Sequence, residues 1–224
     1  MACIDGLGAA GPNFIFENSD SCRMKAWIPA RSMNLTNNFL NALAESADRT
    51  DDPLGMMWPM PNNPATWVSF STFDEWLKFV SGLQLRHAAP KIAEDRFERA
   101  LKLFLLAWLD FDLIKAAELQ ALTTLEFALT DCYGDKVRDK KGKIYFYRLL
   151  RYLPTKDDLT DDKLPLIRRC GGSVVERLKG NHKPTLADIR NDLAHGLPFT
   201  DTPQAGLIEL VRDLIDYAYR DWPK

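Results

Sequence analysis

Apolar residues recur along most of the chain at spacings of three and four, the period that places them on one side of an α-helix. From position 90 onward this pattern is consistent. Residues 91–110 carry Ile92, Phe97, Leu101, Phe104 and Leu105, with charges between them. Residues 112–132 carry Leu113, Ala117, Leu122, Leu125 and Leu129. The short Asp110-Phe111-Asp112 join predicts two antiparallel helices rather than one kinked helix. The pattern predicts further helices over 144–153 and 164–178. Gly171-Gly172 marks a break in the second of these, and Arg168, Arg169 and Arg177 are expected on its exposed side. A terminal helix over 203–219 is expected to bury one stripe: Leu207, Leu210, Val211, Leu214, Ile215 and Ala218.

Before position 90 the pattern changes. Residues 34–47 have helical character, with Leu35, Phe39 and Leu43 at fours. Residues 48–64 read as loop, and 66–70 as a short strand. Ser71 or Thr72 is placed to cap a helix over 73–83, with Trp76, Leu77 and Val80 as its apolar side. This region is rich in Asn, Pro, Met and Trp, and its aromatics read as packing surface. The expected organisation is a flexible leader over 1–24, an irregular extension of helical or α+β character over 25–90, and a helical domain over 91–224. Gly6, Gly8 and Gly11 form a literal G-x-G-x-x-G. A dinucleotide site needs a strand before that motif and a helix opening within it; here Pro12 follows, so the motif carries no nucleotide assignment.

Composition narrows the function classes. A formal net charge of −2 gives no global drive toward nucleic acid or anionic membranes, so any basic surface must be local. Cys3, Cys22, Cys132 and Cys170 show no paired short spacing, which points to a reducing, cytoplasmic setting without structural zinc. The longest apolar run, 103–109, is too short to span a bilayer, so no membrane partner is expected. No cofactor or metal motif stands in the chain, and His87 and His182 read as surface residues.

Two stretches carry candidate chemistry. Between Lys136 and Arg151 seven Lys or Arg face only one acid, Asp139, and Tyr145, Phe146, Tyr147 and Tyr152 are interleaved with them. Residues 134–142 read as a turn-rich loop. Lys140, Lys141, Lys143, Arg148 and Arg151 are candidates for RNA contact, because basic and aromatic side chains together hold phosphates and stack bases. A packed amphipathic helix explains the same residues. The other stretch is 185–198. Thr185 is a helix N-cap with Asp188 in capping-box position, while Gly196 and Pro198 close the helix. Leu186, Ile189, Leu193 and Leu197 fall on one side; Asn191 and His195, four apart, lie together on the other, with Arg190 on the flank.

The string Arg190-Asn191-x-x-x-His195, followed by Gly196, resembles the R-polar-xxx-H motif of the HEPN superfamily. Those are small all-α domains, many of them metal-independent RNases of toxin–antitoxin and anti-phage systems. The resemblance covers roughly 92–221 and implies a mainly α, up-down helical bundle. It implies an endoribonuclease with Arg190, Asn191 and His195 as its catalytic set, acting on RNA from a site shared across a homodimer, with an antitoxin as a further partner. Asp188 and Asp192 are candidates to orient the imidazole. Glu126, a polar residue within an apolar helix, reads either as solvated or as facing Arg190 or His195, and the resemblance favours the second. Histidine titrates near neutral pH and can move the protons; arginine can clamp phosphate oxygens. The alternative reading is a non-catalytic module of the same kind that dimerises and binds a ligand or RNA.

Overall fold

The structure is a computed structural model that describes residues 33, 35–46, 49–196 and 203–222. The expected leader, with its glycine motif, lies outside the described residues, as do Leu197 and Pro198. Of the described residues 59% are helical and 8% are strand, so the protein is mainly α.

Helix α1 (Asn37–Ser46) starts at Thr36, whose hydroxyl accepts the Phe39 amide at 3.3 Å. Leu43 is buried, and Leu35 and Phe39 are partly so, as their spacing predicts. The expected loop over 48–64 is corrected. Strand β1 (Leu54–Met60) pairs antiparallel with β2 (Asn63–Phe70), which begins before the expected 66–70 strand. In β1 Leu54, Met56 and Trp58 point inward by the strand period of two. The alternation is hidden in the sequence because the outward residues Met57 and Met60 are apolar too, and Pro59 signals a breaker. A two-stranded sheet consists only of edges, where proline is tolerated. The reversal at Pro61-Asn62 puts Asn62 at φ 61°, a left-handed conformation that asparagine adopts readily. Trp67 lies across Gly55, where a Cβ would come within 2.3 Å of the indole, so only glycine fits beneath that ring.

Helix α2 (Phe73–Ser81) is capped by Thr72 in a reciprocal box with Glu75. It carries the aromatics of the extension into the core. Trp76 is fully buried and donates its indole N–H to the Leu105 carbonyl at 3.0 Å. Trp58 meets Phe79 edge-on at 4.8 Å, and Trp76 lies 4.9 Å from Phe104. The extension and the later helices therefore share one buried cluster.

Helices α3 (Lys91–Leu106) and α4 (Leu113–Val137) are two separate helices, packed antiparallel along their lengths. The Arg96 guanidinium stacks over Phe127 at 4.4 Å across that pair. Helix α4 runs five residues beyond the expected end, through Gly134, so the expected loop over 134–142 shrinks. Gly134 is buried, and a Cβ there would stand 3.1 Å from Ile144, so this glycine marks a close approach rather than a turn. Helices α5 (Phe146–Lys156), α6 (Pro165–Cys170) and α7 (Val175–Lys179) follow, the last two separated by Gly171 and Gly172 at φ 77° and 89°.

Helix α8 (Leu186–His195) packs on α4 and α5, and α9 (Leu207–Ala218) packs on α4. The one-sided stripe expected for the terminal helix is corrected: α9 is buried from Leu207 through Tyr217, including Glu209, Arg212, Asp213 and Asp216. Arg212 bonds Glu209 at 2.9 Å and Asp213 at 2.7 Å. Arg169, exposed as expected, also reaches Glu209 at 2.8 Å, and Asp213 accepts the Leu166 amide at 2.7 Å. These paired charges let a polar-looking face enter the core. Among the described residues, no helix is long and apolar enough to cross a membrane.

Candidate functional site

Local sequence sets the placement of α8. The Thr185 hydroxyl accepts the Asp188 amide at 3.1 Å, and the Asp188 carboxylate accepts the Thr185 amide at 2.9 Å. Gly196 closes the helix at φ 63°. Leu186, Ala187 and Ile189 are buried. Asn191 and His195 are exposed, one turn apart, on the face turned away from the core.

Arg190 leaves the flank of α8 toward α4. Its Nη2 donates to both carboxylate oxygens of Glu126 at 2.7 Å, and its Nη1 donates to Asn191 Oδ1 at 2.8 Å. The guanidinium sits over the Phe146 ring at 5.7 Å. Its Nε is buried without a hydrogen-bond partner. Glu126 thus faces Arg190 and is not simply a solvated residue. Arginine only donates, so the amide oxygen of Asn191 must be the end that meets it. That leaves the Asn191 amide NH₂ directed away from Arg190 and available as a donor.

The other expected residues divide. Asp188 is held in its own helix cap and by Lys183 at 2.7 Å, and this ammonium, above all, keeps its carboxyl below the ordinary range. It lies seven residues before His195, about 10 Å along the axis, so it does not orient the imidazole. Asp192 is half-buried and three residues before His195; among the described residues the two form no ion pair. His195 makes no side-chain hydrogen bond among the described residues. The residue is exposed in the last turn of the helix.

The basic stretch adjoins this group. Between α4 and α5 the chain turns on Asp139, whose Oδ1 accepts the amides of Lys141 and Lys143, both at 2.8 Å. Lys140, Lys141, Lys143 and Arg151 are exposed, and Arg148 is half-exposed. The connection to Arg190 runs through Phe146, the first residue of α5. In the sequence alone Phe146 stands as one aromatic among basic residues. Its signal is its helical spacing with Leu149, Leu150 and Leu153, the buried side of α5.

Asn191 and His195 present an exposed face beside the half-buried Arg190–Glu126 pair. An open cleft of about 400 Å³ lies elsewhere, lined by His87, Lys163, Arg168 and Arg220 among others, and it contains none of the expected site residues. Among the described residues, no group of three or more His, Cys, Asp or Glu is placed to hold a metal ion. No protein-family model matches the chain, and no curated protein or solved structure is significantly similar to it.

Proposed function

We propose that the protein is a HEPN-type endoribonuclease, a helical bundle of that superfamily's up-down kind, which cleaves RNA without a metal. The observation that carries the reading is the Arg190–Asn191 bond at 2.8 Å, with an exposed His195 one turn further along α8. In this mechanism His195 acts as the general base on the ribose 2′-OH. The freed oxygen attacks the adjacent phosphorus and the 5′-oxygen leaves with a proton, giving a 2′,3′-cyclic phosphate and a 5′-hydroxyl. The outward NH₂ of Asn191 binds a non-bridging phosphate oxygen. Glu126 fixes Arg190, which fixes Asn191, and the second N–H of Arg190 Nη1 remains for the developing negative charge. One imidazole cannot serve both proton transfers in a single step. A two-fold dimer supplies a second, and an exposed site on one helix face suits such sharing. The setting that fits is toxin–antitoxin or phage defence in the cytoplasm.

A second reading has its own support: Glu126 already neutralises Arg190 with both oxygens, as in a module that binds without cleaving. Incubating purified protein with labelled total RNA and tRNA in EDTA, beside His195→Ala, separates the two. The nuclease reading expects cyclic-phosphate ends from the native chain and a loss of about 10²–10⁴-fold in the variant. Cleavage that requires a metal, or that is equal in both proteins, overturns it. A stable dimer that cleaves nothing supports the binding module.

A further inference from the structure

Tyr145 and Tyr147 are 39% and 52% exposed, although each carries an apolar ring large enough to reward burial. They flank Phe146, which is 4% exposed and supports Arg190 from below. Their ring centres lie 5.8 Å apart with the planes tilted by 39°. Arg148 joins them: its guanidinium lies 5.3 Å from one ring centre and 5.9 Å from the other. Its Nε donates to the Tyr147 hydroxyl at 3.1 Å. Three planar groups are thus held together at the surface before any ligand arrives, which lowers the ordering cost of binding.

We infer that Tyr145, Tyr147 and Arg148 form a stacking platform for unpaired bases, and that the substrate entering beside Arg190 is single-stranded RNA. The charge around the platform fits that occupant. Lys140, Lys141, Lys143 and Arg151 are exposed and have no ion-pair partner among the described residues. Asp139 spends its Oδ1 on the amides of the lysine turn, which shapes the loop. A polyanion that also offers flat π-faces answers both the lysines and the rings. A duplex does not, because its bases already stack on one another. An anionic membrane answers only the charge, since the apolar side of α5, with Leu149, Leu150 and Leu153, is already buried in the core. The α-carbons of both tyrosines stand about 3.8 Å from that of Phe146. The link between the platform and Arg190 is Phe146, the residue between the two tyrosines, whose ring lies 5.7 Å from the Arg190 guanidinium.

The inference rests on the proposed nuclease reading for what happens to the strand, not for its binding. The test uses the full chain in EDTA with a fluorescent single-stranded oligoribonucleotide, 2′-O-methylated so that it cannot be cleaved. Its annealed duplex and phosphatidylserine vesicles are the comparison probes. The expected result is tighter binding of the single strand than of either comparison probe. Tyr145→Leu/Tyr147→Leu should weaken it by on the order of tenfold or more. Lys140→Gln/Lys141→Gln/Lys143→Gln should weaken it and flatten its dependence on salt. Circular dichroism should match the native chain in both variants. Unchanged affinity in the tyrosine variant, equal affinity for the duplex, or binding to vesicles alone overturns the platform. Single-strand binding lost with the tyrosines, in a protein that never cleaves, keeps the platform and removes the nuclease. Cleavage indifferent to the tyrosines does the reverse.

Discussion

Arg212 and Arg190 both gather carboxylates, and solvent separates what the two clusters achieve. Arg212 is 1% exposed as a side chain, beside Glu209 at 4% and Asp213 at 0%. Its Nη1 donates to the Gly82 carbonyl at 3.1 Å, and its Nε and Nη2 are taken by the two acids. Every nitrogen is used, and the cluster ties α9 to the turn after α2 and, through Arg169, to α6. Arg190 and Glu126 are 26% and 31% exposed, their pairing is partly screened by water, and one nitrogen of the arginine has no partner. A saturated buried cluster fixes where a helix sits. An unsaturated one near the surface orients a neighbour, here Asn191.

The largest effect expected from this contrast is on folding stability. Arg212→Met removes the guanidinium shared by the buried Glu209 and Asp213, leaving Arg169 on the one and the Leu166 amide on the other, and should cost about 3–5 kcal/mol in chemical denaturation. A cost below about 1 kcal/mol would end the contrast. An intermediate effect concerns acid. Burial alone would push the Glu209 carboxyl up, but Arg169 and Arg212 outweigh it and hold it below the ordinary range. A folded value below the unfolded one, which is about 4.3, gives stability that is present above that pH and lost as pH falls through the folded value. Unfolding free energy should therefore drop on acidification from about pH 5, and Glu209→Gln should flatten the drop. Asp216 is raised by burial, against the pull of the Arg86 and His87 amides. Its contribution has the opposite sign, fading as pH rises through its folded value, so Asp216→Asn should leave the acid drop in place. The smallest effect belongs to the surface pair: Arg190→Met should cost up to about 1 kcal/mol. A loss above about 3 kcal/mol would place Arg190 with Arg212 and make it a structural residue.

The parts legible in the sequence are those whose determinants lie within one turn of each other. Thr185 with Asp188, Thr72 with Glu75, and Gly196 mark helix ends through bonds spanning only a few residues. The outward placement of Asn191 and His195 follows from helix geometry alone. Other features depend on residues far apart. Glu126 and Arg190 are 64 positions apart, and no local window pairs them. The acids and the arginine of α9 read as a solvated face because the groups that satisfy them, Arg169 and the Leu166 and Arg86 amides, belong to other segments. Strand β1 was hidden for a related reason: an apolar outer face and a proline conceal the alternation, and only its pairing with β2 restores it.

The Trp58 indole donates to Glu209 at 3.3 Å across 151 positions of chain. Closing so long a loop costs entropy before any contact repays it. The Trp58–Glu209 bond therefore waits for α9, whereas the hairpin's own pairing and its contacts with Phe79 and Phe104 close over far shorter loops. One indole thus packs the hairpin on α2 and α3 and, through its N–H, pins the far end of the chain to that packing.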